Sequence, residues 1–431
     1  VLSNLKTLRD TSFKAIAVER LPTNTTTRAH AVHRWFNFIA GFSPELVNAC
    51  VEMTGQAPRR EMRLLDPFSG CGTAPVAARL IGISAAAYDP HPFFAVISEA
   101  KANSAHYWSD LPRIQTAIER GIGDQPVEHS PLSDSAIAFL SKLVEPKALS
   151  ALNSARVELE NDGLSNNPLA ILILSRILDH CCSAATDGIY KAPTSSKKPL
   201  SPKDALARVM SIILSDHVDA TTNGTDIQIY ARSSESMTEQ EDSSIDIVVT
   251  SPPYLNNFDF AEMTRMYLYF WKMASSWSDI SNKVRSQLVV NTTTALKGHK
   301  PLQQHYRDSL PISVRQAADK VVTTLVARRK EKAGKKEYDF LIYPYLSQMQ
   351  KVLAETYRTL KSGAPFHMMV SDAALYGVHV PAPQWLAEIM IEIGFQDVQC
   401  EMIRPRGHRW ILDKRAGSDE GLGEYYIFGV A

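Results

Sequence analysis

Short apolar runs alternate with stretches of helical spacing in three parts of the chain. Met62 to Phe68 reads as a strand, Ala74 to Ile81 as a helix and Ser84 to Asp89 as a second strand. Ile227 to Tyr230 and Ile245 to Thr250 give two more strands, with Phe258 to Met273 as a helix behind them. Further on, Tyr345 to Lys361 has helical spacing, Pro365 to Ser371 reads as a strand and Trp385 to Ile393 as a helix. Gln399 to Arg404 and Tyr425 to Val430 close the chain as an expected antiparallel pair. Strands separated by helices predict an α/β fold with a mainly parallel sheet covered on both faces.

Two stretches break this alternation. Residues 104–220 hold helical patterns around a polar segment, Lys191 to Lys203, rich in Lys, Ser and Pro. Residues 275–338 are polar and end in a basic run, Arg328-Arg329-Lys330, with Lys332, Lys335 and Lys336 close behind. Both read as insertions on the sheet, and insertions at a ligand-binding edge commonly carry substrate choice. The expected organisation is an N-terminal element (1–60), a first sheet half (61–103), a helical insertion (104–220), a second sheet half (221–274), a polar insertion (275–338) and a C-terminal part of the sheet (339–431).

At 431 residues the chain can bury a large core. Its 45% hydrophobic and 21% charged residues are those of an ordinary globular protein. Lys plus Arg and Asp plus Glu balance at 46 each, which argues against holding nucleic acid by bulk charge and leaves local basic faces as the candidates. Two are present: the Arg328 run, and Arg404-Pro405-Arg406-Gly407-His408-Arg409. The first residues lack the apolar core of a signal peptide, and the most apolar stretch, Leu169 to Leu178, is interrupted by Arg176. No membrane association is expected. Five cysteines without metal-ligand spacing point to a reduced, cytoplasmic protein with no metal site.

The strand Ile245 to Thr250 runs straight into Ser251-Pro252-Pro253-Tyr254. Two prolines stop the strand and fix the backbone just beyond its carboxyl end. That edge of an open α/β sheet is where ligands bind. A hydroxyl, backbone carbonyls and an aromatic ring there suit a flat base carrying an exocyclic amino group. Earlier in the chain, Asp66-Pro67-Phe68-Ser69-Gly70-Cys71-Gly72-Thr73 follows one strand and opens a helix. Its glycines permit a tight turn and close approach of a ligand. Asp89 ends the next strand, 19 residues after Gly70, a spacing at which a carboxylate accepts from ribose hydroxyls. The loop lacks the third glycine of a nicotinamide fingerprint and the Gly-Lys-Ser/Thr of a P-loop.

Together these segments resemble DNA amino-methyltransferases. The Asp66 to Thr73 loop is similar to that family's S-adenosylmethionine loop, and Ser251-Pro252-Pro253-Tyr254 to its catalytic motif. His33-Arg34-Trp35-Phe36 through Phe42-Ser43-Pro44 resembles its N-terminal cofactor element. The resemblance implies a Rossmann-like methyltransferase fold with a seven-stranded sheet ending in an antiparallel pair. It implies S-adenosyl-L-methionine held by Asp66, Pro67, Phe68, Ser69, Gly70, Gly72, Thr73 and Asp89, with Trp35 and Phe42 closing over it. Catalysis falls to Ser251, Pro252, Pro253 and Tyr254: Ser251 and the Pro252 carbonyl accept the two amino N–H groups, and Tyr254 stacks on a flipped base. Asn256, Asn257, Arg328, Arg329, Lys330, Arg406 and Arg409 are the candidates for contact with DNA. Methylation at cytosine carbon 5 requires the Pro-Cys nucleophile of another family, and this chain has no Pro-Cys.

Serine as the first motif residue favours cytosine N4 as the target, with adenine N6 the alternative. The expected partners are double-stranded DNA and a cognate restriction endonuclease or other defence-system subunits. An RNA guanosine amino-methyltransferase and a non-catalytic DNA-recognition subunit are the competing readings. The motif order, with the cofactor loop before the catalytic motif, is reversed in many Ser-Pro-Pro-Tyr enzymes. The motifs cover the two sheet halves and the N-terminal piece, not the insertions. The 275–338 insertion, directly after the catalytic motif, is the favoured target-recognition region.

Overall fold

In the computed structural model, residues 26–36, 38, 40–123, 132–186, 191–222, 224–331, 336–406 and 421–431 are described. Seven strands form one sheet: β1 (Arg63–Asp66), β2 (Ser84–Tyr88), β3 (Ile227–Tyr230), β4 (Ile247–Thr250), β5 (Pro365–Ser371), β6 (Gln396–Pro405) and β7 (Gly423–Val430). Their order across the sheet is β6-β7-β5-β4-β1-β2-β3. From β3 to β5 all neighbours are parallel, with Leu64 of β1 opposite Ala85 on one side and Ile247 on the other. β7 runs antiparallel between β5 and β6. Strand order reverses direction between β1 and β4, and ligands bind at the carboxyl ends of strands at such a switch point.

Alternation along each strand divides the protein into two cores. Leu64, Ile247 and Val249 face one, and Leu65 and Val248 face the other. Leu64 and Leu65 are both fully buried. Burying each side chain contributes about 1.5–3 kcal/mol, and a one-residue slip of β1 would bring Arg63 into the place of Leu64 or Asp66 into that of Leu65. The first face is covered by α1 (Pro44–Met53), α2 (Thr73–Ile81), α3 (Pro92–Ala102) and the helices of the 104–220 segment: α4 (Leu111–Gly123), α5 (Pro146–Asn161), α6 (Pro168–Cys181) and α7 (Pro202–Ser215). Several begin on a cap followed by proline. Asn167 Oδ1 accepts from the Leu169 and Ala170 amides ahead of α6, and Ser201 Oγ accepts from Asp204 N ahead of α7.

The second face carries α8 (Ile312–Glu331), α9 (Ile342–Thr359) and α10 (Ala382–Ile393). α8 lies within the 275–338 segment and buries Val314, Ala318 and Leu325. Neither insertion is therefore a detached body, and each completes the core on one face of the sheet.

Most expected elements are present, with two differences. The continuous helix expected from Phe258 to Met273 is two short ones, Phe260–Met263 and Arg265–Phe270. Thr264 divides them: its hydroxyl donates back to Phe260 O at 2.7 Å and meets His91 Nε2 at 2.8 Å. Such side-chain bonds to the preceding turn compete with the helical ladder. The polar segment around Lys191 to Lys203 supplies a strand, Lys191–Ser196, paired with Ala184–Thr186. All five cysteines are free. Among the described residues, no helix is long and apolar enough to cross a membrane.

Candidate active site

At the carboxyl end of β1, the backbone of the glycine loop turns around two buried carboxylates. Asp66 Oδ1 accepts from Phe68 N at 3.0 Å and from the Thr250 hydroxyl at 2.7 Å. Thr250 ends β4 and precedes Ser251, so this bond joins the two halves of the sheet at their switch point. Asp89, at the end of β2, accepts from Gly70 N and His91 N, each at 2.8 Å. Burial pushes both carboxyls up to about 7, against the hydrogen bonds that favour their charged forms.

Gly70 and Gly72 have φ of +50° and +83°, and Gly72 caps the start of α2. A Cβ on Gly72 would also lie 2.7 Å from Ser98 Oγ, so both conformation and space require glycine there. Ser69 Oγ is bonded to Ser98 Oγ at 2.8 Å, which fixes the loop onto α3.

The second corner follows β4. Pro252 is buried, while Ser251, Pro253 and Tyr254 are half-buried. Burial, and then the Glu424 carboxylate, push the Tyr254 phenol above its usual range, and a hydrogen bond with Ser251 opposes them. Tyr254 is therefore neutral. The Arg406 guanidinium lies 5.8 Å from the centre of the Tyr254 ring. It donates to Ser371 Oγ at 3.0 Å and reaches Asn257 Oδ1 at 3.4 Å. Asn256 adopts φ +54°, and its amide donates to Asn291 O.

Asn291 reciprocates, with Nδ2 donating to Phe258 O at 2.8 Å and Tyr254 O at 3.3 Å. Beneath it, Asp259 caps Glu262 N and pairs with Arg285 at 3.0 Å, both side chains almost wholly buried. Thr294 donates to the same Asp259 carboxylate at 2.6 Å. The 275–338 segment thus braces the loop after Tyr254 through Asn291, Arg285 and Thr294.

Both corners open on one cavity, which is partly open to solvent. Phe68, Ser69, Gly70, Thr73 and Asp89 line it on one side, and Ser251 and Pro253 on another. The N-terminal element contributes His33, Phe36, Phe38 and Phe42, and the polar insertion contributes Gln287, Leu288 and Val289. No described residue of 104–220 lines it. Asp66, Pro67 and Gly72 lie behind this lining and shape the loop. Trp35 departs from expectation: its ring stacks on Trp108 and its Nε1 donates to Asp216 Oδ2 at 2.9 Å, away from the cavity. Asp216 also accepts from Val32 N and pairs with Arg34, so Trp35 anchors the N-terminal element to α7.

The basic residues are dispersed. Arg329 is turned inward, paired with Asp339 at 3.2 Å and lying over the Phe340 ring, which removes it from the exposed face expected for it. Arg328 and Lys330 are at the end of α8 and both are exposed. Arg406 stands in the catalytic corner and not on an outer basic patch. Arg409 lies outside the described residues.

Motif reading missed several residues that structure the site. His91 is fully buried, lines the cavity and is held down to about 3 by burial, hence neutral. Lys101 of α3 and Asn291 and Arg285 of the insertion stand in no recognisable motif. Asp259 carried a signal, since Asp259-x-x-Glu262 has the spacing of a helix start.

Curated proteins align with most of the chain. The Type II methyltransferase M.AvaI of Nostoc sp. is 23% identical over 401 residues, covering 87% of this chain and 81% of its own length. M.BsoBI of Geobacillus stearothermophilus is 24% identical, covering 94% of this chain and 85% of its own. M.MvaI of Kocuria varians is 22% identical, with 85% and 82% covered. The chain is similar to Type II methyltransferases. With 94% of it aligned in one case, the likeness extends into both insertions and beyond the segments that the motifs alone covered. The seven-stranded sheet, parallel except for its last strand pair, is that of a Rossmann-like methyltransferase fold. No protein-family model matches the chain.

Proposed function

We propose that this protein is an S-adenosylmethionine-dependent DNA methyltransferase that modifies the exocyclic amino group of a flipped base, cytosine N4 in the first instance. The observation that carries the reading is the single cavity shared by Gly70 and Asp89 on one side and Ser251 and Pro253 on the other. A methyl donor and an amino-bearing base must meet within one space, and alignment of the reacting atoms supplies much of the rate in such a displacement. Similarity to Type II methyltransferases over most of the chain supports it.

The lining fits the donor. Phe36, Phe38, Phe42, Phe68 and Phe94 give it apolar walls. Asp89 keeps an unused lone pair on each oxygen beyond its backbone bonds, enough to accept from hydroxyls. When bound, S-adenosylmethionine supplies an electrophilic methyl group on a sulfonium.

The chain's own residues do the rest. Ser251 Oγ and the Pro252 carbonyl accept the amino protons of the base and hold its nitrogen near tetrahedral geometry, which frees its lone pair from the ring. Tyr254, kept neutral beside Arg406, does not itself line the cavity but adjoins Pro253, which does, and from there its ring would stack on the base. Stacking there offsets part of the cost, about a few kcal/mol, of extruding the base. Gln287 to Val289 line the cavity, and the segment that carries them is the proposed reader of the target.

Mass spectrometry of nucleosides from DNA incubated with the protein and isotope-labelled donor tests this. N4-methylcytosine is the expected product. N6-methyladenine would move the target while leaving the reaction class intact. Label in RNA and none in DNA would refute the proposal.

A further inference from the structure

Lys101, near the end of α3, is only 2% exposed and lines the cavity. Its ammonium donates to Cys71 O at 2.8 Å and Phe36 O at 3.4 Å, both neutral acceptors. An ammonium has three donors and a full charge, so these bonds leave one donor unused and the charge uncompensated. Among the described residues no carboxylate pairs with it. Among the described residues, the titratable group that favours its charged form is the Cys71 thiol, which burial pushes up to about 12 and so keeps neutral. A buried cation is costly unless an anion faces it.

His33, on the same wall of the cavity, is 2% exposed, and neither of its ring nitrogens has a partner. Burial first, then the Lys101 charge, hold it neutral, so one nitrogen is an N–H donor. A cation without a counter-charge and an N–H donor without an acceptor, both buried and both lining the cavity, describe a site for a carboxylate.

We infer that Lys101 and His33 bind the α-carboxylate of the methionine moiety, the one anionic group of the proposed donor, and thereby fix the direction in which it lies. This inference rests on the proposed function. Lys101 lies against the backbone of Cys71 in the glycine loop and of Phe36 in the N-terminal element, so the site is assembled where those two segments meet. The same charge repels the donor's sulfonium and ammonium groups, which disfavours the reversed orientation. Asp89, on another part of the wall, is left for the ribose.

Calorimetric titration of the full chain with S-adenosylhomocysteine and with its decarboxylated analogue, 5′-deoxy-5′-(3-aminopropylthio)adenosine, tests the inference. The wild-type protein should bind the carboxylate ligand tighter by on the order of tenfold to a hundredfold, the range of a charge-assisted hydrogen bond. Lys101→Met, which replaces the ammonium with an apolar chain of similar length, should lose that preference while binding the analogue as before. Equal wild-type affinity for the two ligands overturns the inference and leaves the proposed donor standing. Equal loss of both ligands in Lys101→Met overturns it too, because Lys101 would then be a brace between two carbonyls. Binding of neither ligand by the wild-type protein overturns the proposed function as well. Should the variant fail to fold, the wild-type comparison decides by itself.

Discussion

The glycine-loop corner is held mainly by its own backbone, with Phe68, Gly70 and His91 amides closing onto Asp66 and Asp89 inside one strand–helix–strand unit and the Thr250 hydroxyl joining Asp66 from β4. The corner that follows β4 is held from outside. Asn291 and Arg285 reach it from the polar insertion, and Arg406 reaches it from beyond β6, 149 residues after Asn257. The first arrangement is as stable as the unit that carries it. The second exists only when the insertion and the C-terminal strands are docked, and so it couples the catalytic motif to the segments that vary most readily around a sheet.

Five measurements would sharpen or break this contrast. The largest effect is expected at the first corner, in the ligand-free protein. Asp66 and Asp89 are raised to about 7, so between pH 4 and 7 the folded form keeps protons that the unfolded chain has released. Stability is then greatest near pH 4 and falls as pH rises to about 7, by up to about 1.4 kcal/mol per unit for each carboxyl. Denaturant titrations at several pH values should show Asp66→Asn flattening that slope, and an unchanged slope would contradict the assignment.

At the second corner, Arg285→Met leaves the Asp259 charge buried without its partner. A loss of about 3–5 kcal/mol in stability is expected. Affinity for S-adenosylhomocysteine, measured where the variant is folded, should change little if the two corners are independent. Ser251→Ala should lower kcat on the order of a hundredfold, the scale of removing one aligned hydrogen bond from a transition state, with donor affinity within about threefold of wild type. Equal losses in both would make the motif structural.

Asp89→Asn separates the corners from the other side. It replaces one acceptor of the Gly70 and His91 amides with a donor, and donor affinity should fall by about tenfold, with kcat at saturation little changed. The smallest effect is assigned to the end of α8. Arg328→Ala combined with Lys330→Ala should weaken DNA binding by a few-fold and make it less steeply salt-dependent, by about one in the log–log slope for each phosphate no longer neutralised. No change in the salt dependence would remove α8 from the DNA face.

How much of this was legible in the sequence follows the same contrast. The strands Ile227–Tyr230 and Pro365–Ser371 stand where the apolar runs predict them, as does the antiparallel closing pair. Pro365–Ser371 is buried at every position and reads as a largely apolar run, while Ile227–Tyr230 is an edge strand in which Ile, Gln, Ile and Tyr alternate with a period of two. The expected helix from Phe258 to Met273 failed because a single threonine hydroxyl, not an apolar spacing, divides it. Trp35 and Phe42 look equivalent as aromatic neighbours of a cofactor element, yet Phe42 lines the cavity and Trp35 is tied to Asp216. A residue's direction within an irregular segment depends on what it packs against, and that partner lies 181 positions away.

The sequence by itself determined what is local: the strand–loop–helix with glycines at positive φ, the acidic residue ending the next strand, and the proline stop after β4. Backbone sterics and residue spacing fix these within a few turns of chain. Tertiary structure alone decided that the two motifs share one cavity, that the 275–338 segment contributes to its lining while no described residue of 104–220 does, and that Lys101 is left as a buried cation facing the ligand space. Those outcomes depend on sheet order and on burial, and neither is a property of any short stretch of sequence.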